Sequence, residues 1–124
     1  MDFARTHKDL DVWKKSIELV KCIYQTTSGF PKEEIYALTS QMRRCVVSIP
    51  SNIAEGATRQ SNKEFIQFLF ISLGSASELE TQLIISKELN YIEESTYQNL
   101  NAKIEEVSKM LNGLIKYRKL KDSN

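Results

Sequence analysis

Histidine occurs once in this chain, at His7, and cysteine twice, at Cys22 and Cys45. One histidine cannot build the Glu-x-x-His metal sites of helical bundles, and two thiols without Cys-x-x-Cys spacing supply neither a zinc site nor a redox motif. The sequence therefore predicts no bound metal and no cofactor. The glycines stand singly at Gly29, Gly56, Gly74 and Gly113, so no glycine-rich loop is available to cradle a nucleotide phosphate. A serine nucleophile would find only His7 as an imidazole base. Glu78 and Glu80, two apart, fall on divergent faces of a helix and form no acid/base pair. No catalytic residue is expected, and the chain reads as a non-enzyme with no small-molecule substrate.

Charge of one sign is also missing. Basic and acidic side chains number 17 and 16, leaving a net charge of about +1, so nucleic acid would have to be met by a local patch. Lys116, Arg118, Lys119 and Lys121 form the one dense basic stretch, which a frayed, solvated helix end accounts for. The longest nearly apolar run, Phe65 to Leu73, is about half of the roughly 20 residues that cross a bilayer, so no membrane partner is expected. Met1 to Thr6 lacks the apolar core of an export signal. Cys22 and Cys45 lie inside helical patterns, which reads as reduced thiols in a cytoplasmic protein. At 124 residues, 41% hydrophobic and 27% charged, the chain has the size and composition of one globular domain.

What is present is helical rhythm. Apolar residues recur at spacings of three and four in four segments, predicting helices over roughly 9–28, 33–56, 62–89 and 94–120. The first stripe is Leu10, Trp13, Ile17, Val20, Tyr24 and Thr27, stopped by Ser28-Gly29-Phe30-Pro31 with Gly29 as the left-handed terminator. The second is Ile35, Leu38, Met42, Cys45, Ile49 and Ile53, ending at Gly56. The third opens on a capping box, Ser61 with Glu64, and buries Phe65, Phe68, Leu69, Ala76, Leu79 and Leu83. The fourth carries Tyr97, Leu100, Ile104, Val107, Leu111 and Leu114, with Glu93 or Ser95 as its cap. Short connections fold four such segments most simply into an all-α, antiparallel up-down-up-down four-helix bundle, one domain over 1–124.

Two further patterns concern partners. Helix one carries a second stripe, Val12, Leu19 and Ile23, and helix three carries Ile66, Phe70, Leu73 and Ile84, each set roughly 100° to 120° from the main stripe. A single bundle core has little room for both, so these residues are expected to be buried between subunits of a homo-oligomer. In helix two, Arg44, Ser48, Ser51, Asn52 and Glu55 gather into a polar wedge of about 100° opposite the apolar stripe. Pro50 lies within that helix and frees the Val46 carbonyl, predicting a kink. Arg43, Arg44, Ser48, Asn52, Glu55, Arg59 and Lys63 are the candidate contacts for nucleic acid or another partner, with a solvated, internally paired face as the equal alternative.

Around this seam the sequence resembles a known family. Asp9-Leu10-Asp11-Val12-Trp13, Ser48-Ile49-Pro50-Ser51-Asn52-Ile53-Ala54-Glu55-Gly56 and Gly74-Ser75-Ala76-Ser77-Glu78-Leu79-Glu80-Thr81-Gln82-Leu83 are similar to the 23S rRNA intervening-sequence proteins. The resemblance spans nearly the whole chain. It implies a bacterial antiparallel four-helix bundle assembling into a ring-like homopentamer, of a family whose molecular function is not established. Related accessory proteins of diversity-generating retroelements bind nucleic acid, which makes RNA or DNA a candidate partner here. A protein-interaction scaffold that binds no nucleic acid is the alternative reading.

Overall fold

The chain enters its fold through a side-chain cap. Thr6 accepts the Lys8 N–H at 3.2 Å, and Asp9 accepts the Thr6 N–H at 3.2 Å, closing a 3-10 turn over His7–Asp9. His7 then packs edge-on against Trp13, 5.2 Å between ring centres. The computed structural model describes residues 6–122, and the expected lack of an export signal before Thr6 lies outside them. Four helices follow: α1 (Asp11–Thr27), α2 (Leu38–Ala57), α3 (Asn62–Glu88) and α4 (Glu94–Asp122). No strand occurs among the described residues.

Each helix packs on its neighbours in sequence, and α1 closes the ring against α4. Paired ends fix the directions. Arg43 near the start of α2 reaches Thr27 at the end of α1. Gly56 near the end of α2 meets Phe65 near the start of α3, and Asn62 opening α3 donates to the Arg118 carbonyl near the end of α4 at 2.7 Å. The architecture is an all-α four-helix bundle.

Packing on α1 corrects the sequence pattern. Val12, Leu19 and Ile23, expected between subunits, are core residues 4%, 1% and 0% exposed, while Tyr24 of the expected stripe lies outside. Leu10, Trp13 and Val20 only flank the core. Ser16 hides the true stripe in sequence, because it sits on the core line fully buried and satisfies its hydroxyl on the Trp13 carbonyl at 2.7 Å.

Helix ends differ from expectation for similar local reasons. No glycine has a positive φ, so Gly29 is not a left-handed terminator. That role falls to Asn90 (φ 62°) after α3, where Asn90 N–H reaches Lys87 O and Tyr91 N–H reaches Ser86 O, both at 2.9 Å, a Schellman ending. α2 begins at Leu38 instead of 33: a 3-10 turn over Lys32–Glu34 comes first, Glu34 Oε1 accepts the Leu38 N–H at 3.2 Å, and Ile35 is left exposed. At its far end α2 runs through Gly56 to Ala57. Gly56 serves packing, since a Cβ there would lie 2.6 Å from Phe68 Cβ and 3.3 Å from the Phe65 carbonyl oxygen.

Ser61 caps α3 by accepting the Glu64 N–H at 3.1 Å, but the Glu64 carboxylate takes the Ser61 hydroxyl, not its backbone N–H. In α4 the buried line is Leu100, Ile104, Val107, Leu111 and Ile115, because 3.6 residues per turn carries the stripe past Leu114. The basic stretch of α4 lies within a helix that runs through Asp122. Among the described residues, α3 alone is long and apolar enough to cross a membrane by length and composition, which the run from Phe65 to Leu73 does not reveal. Only a third of that stretch is buried, so its apolarity is shared between a core face and an outer face.

Candidate functional site

Pro50 removes an N–H donor from the middle of α2, yet the helix continues on both sides with Pro50 buried. Around it the α2–α3 contact is lined with small polar groups. Ser72 donates to the Ile49 carbonyl at 2.9 Å, Ser48 and Ser75 hydroxyls lie 2.7 Å apart, and Asn52 Nδ2 donates to the Ser48 carbonyl at 2.8 Å. These bonds satisfy polar atoms that a close helix approach would otherwise strand. The polar wedge of α2 is thus partly an internal seam.

At its open edge lies a shallow cavity of about 290 Å³ lined by Gln41, Arg44, Cys45, Ser48 and Glu78. The Cys45 thiol donates to the Ser75 carbonyl at 3.1 Å. Burial, followed by the charge and hydrogen bonding of the neighbouring Glu78 carboxylate, pushes the thiol pKa up to about 12. It is a neutral, structural thiol, and both cysteines are free.

The candidate contact residues separate into two groups. Arg43 is spent on α1: its Nε donates to Thr27 Oγ1 at 2.9 Å, and its guanidinium lies 4.7 Å from the Tyr24 ring centre. Ser48 and Asn52 bond within the seam, and Glu55 pairs with Arg59 at 2.8 Å. Arg59 also lies over Phe68 at 4.8 Å. Arg44 and Lys63 stay exposed, on different parts of the surface: Arg44 edges the seam, and Lys63 stands in the first turn of α3. Gln41, Cys45 and Glu78 complete the groove, Ser75 bonds to Cys45 and Ser48 behind it, and none of the four was picked out in sequence. Gln41 and Cys45 lie within reach of Arg44 on the α2 wheel, but nothing local shows which face of α3 meets them.

Of the candidate interface residues on α3, Ile66 and Leu73 are partly buried against the core, whereas Phe70 and Ile84 are exposed. Ile71 and Ile85 join them outside. Between Glu64 and Glu78 the helix carries no charged side chain.

These features define a small helical-bundle protein with a polar inter-helix seam and an apolar outer helix face. It belongs to the 23S rRNA-intervening sequence protein family, whose sequence model matches residues 8–113. The chain is similar to the crystal structure of a protein of unknown function from the S23 ribosomal protein family of Bacteroides thetaiotaomicron VPI-5482. The two share 30% identity and a TM-score of 0.76, over 85% of this chain and 98% of that one. No curated protein matches the chain.

Proposed function

We propose that this protein is a non-enzymatic, self-associating helical scaffold that meets copies of itself through the outer face of α3, with a ring-like homopentamer as the assembly. The observation that carries this reading is the exposure of Phe70 and Ile71 within the charge-free stretch of α3, and of Ile84 and Ile85 further along the same helix. Soluble monomers seldom leave such a patch open to water. Val12, Leu19 and Ile23 have no part in the interface, because they are enclosed within the subunit.

Contact with RNA or a ribonucleoprotein through the α2 seam is the weaker reading. Arg43 and Arg59 already bond within the chain, which leaves Arg44 and Lys63. Two free thiols fit a reducing cytoplasm.

Sedimentation equilibrium at micromolar concentration tests the scaffold. The wild-type chain should sediment as several subunits, and Phe70→Glu combined with Ile84→Glu should give monomers of unchanged helix content. A wild-type monomer, or an assembly indifferent to both changes, overturns the reading.

A further inference from the structure

Net charge near zero conceals a separation along the bundle axis. The antiparallel course brings the end of α2, the start of α3 and the end of α4 together, and with them Arg59, Lys63, Lys116, Arg118, Lys119 and Lys121. That end also holds Asp9, Glu55 and Glu64, fewer than its bases, while at the opposite end Glu33, Glu34, Glu88, Glu93 and Glu94 outnumber Lys32, Arg43 and Lys87. The carbonyl ends of α2 and α4 account for part of the basic excess, since cations favour a helix C-terminus. They do not account for the cleft between those elements.

That cleft has a volume of about 390 Å³, and its lining includes His7, Arg59, Ser61, Asn62 and Arg118. Two of these residues carry buried polar atoms without partners: Arg118 Nε, a donor, and Asn62 Oδ1, an acceptor. The amide of Asn62 is oriented by the bond from its Nδ2 to the Arg118 carbonyl, so Oδ1 is the oxygen left over. Arg118 is held by its guanidinium lying over Phe65, 4.8 Å from the ring centre. Neighbouring acids each hold a partner of their own, Asp9 from within the cleft lining. Asp9 takes the Thr6 N–H, Glu55 takes Arg59, and Glu64 takes the Ser61 hydroxyl. The first turn of α3, a 27-residue helix, opens on the same cleft, and its leading N–H groups and positive dipole end favour an anion.

We infer that this cleft binds a sugar phosphate, either free or as a unit of a polynucleotide. Phosphate oxygens accept from the guanidinium group of Arg118 and from the N-terminal amides of α3, and a sugar hydroxyl donates to Asn62 Oδ1. Arginine suits the phosphate because its planar fork presents Nε–H and Nη–H together. The site lies at the end of the bundle and does not depend on self-association through α3.

Trp13 is the chain's single tryptophan and touches His7, which lines the cleft, so its fluorescence reads occupancy. Ribose 5-phosphate and a short oligouridylate are the probes, titrated into the intact protein at low salt and again at raised salt. Both should bind saturably if the source is a small ligand. A polymer arm at least tenfold tighter per site, falling steeply with salt, identifies a polynucleotide. Arg118→Gln should weaken binding at least tenfold. Arg118→Lys, which keeps the charge and the helix but loses the fork, should weaken it several-fold and decides the matter if the glutamine variant does not fold. Arg44→Ala, a cation of the distant seam, should bind like wild type. Absence of saturable binding to either probe, or equal weakening by Arg44→Ala and Arg118→Lys, overturns the inference.

Discussion

Gly56→Ala separates two opposing effects whose sizes can be worked from the structure. Alanine in place of a helical glycine is favourable by up to about 1 kcal/mol, and less in a last turn such as that of Gly56. Against this, the new methyl carbon would stand 2.6 Å from Phe68 Cβ, 2.9 Å from Phe65 Cδ1 and 3.3 Å from Phe65 O. Ordinary carbon contacts lie at about 3.5–4.0 Å, so α3 must retreat by roughly 1 Å. Phe65 can turn its ring, but Phe68 Cβ and the Phe65 carbonyl move only with the α3 backbone. Overpacking of this kind costs about 1–3 kcal/mol, giving a net loss of about 1–2 kcal/mol, or a fall in Tm of some 3–10 °C for a domain of this size. Gly113→Ala is the matched control, since nothing lies within 4 Å of its Cβ position, and it should gain about 0.5–1 kcal/mol. Urea unfolding followed by far-UV circular dichroism measures both. If Gly56→Ala is as stabilising as Gly113→Ala, the close α2–α3 approach is wrong.

Asn90→Gly should leave stability unchanged or slightly raised, whereas Asn90→Val should lose about 1–2 kcal/mol at the left-handed residue ending α3, as thermal melts would show. Tyr91 donates its hydroxyl to Glu34 at 2.6 Å, which raises the phenol pKa above its usual 10. The stabilisation is therefore full below about pH 10, where the unfolded phenol keeps its proton, and is lost as pH rises through the higher folded value. Accordingly, the stability gap between wild type and Tyr91→Phe should hold from pH 7 to 9 and shrink above that range; a gap that widens with alkali contradicts the hydrogen bond. Cys45, buried and with its pKa pushed up to about 12, should resist a thiol reagent at neutral pH until urea unfolds the chain, and rapid labelling of Cys45 in the native protein would contradict its placement.

Spacing alone revealed four helices, the Ser61 cap and nearly all the core line of α4, because these depend on interactions within a few residues. The buried face of α1 was not legible: a core serine breaks the apolar stripe, and only α2 and α4 together decide which side turns inward. The start of α2 depends on the Glu34 side chain, and the ending of α3 on Asn90, an asparagine whose left-handed conformation is one option among several. At the site, the α2 wedge was visible as a pattern, but its meaning changed once Ser75 and Glu78 of α3 were found across from it. Arg43 looked like a free cation because its partners stand fifteen or more positions earlier in the chain.

Opposite charge at the two tips of the molecule bears on how copies can stand together. In the ring proposed above, subunits that met flank to flank with their long axes along the ring axis would bring each tip beside its own kind. Apolar cohesion along the flank would have to overcome that repulsion, and added electrolyte would tighten the proposed assembly instead of loosening it.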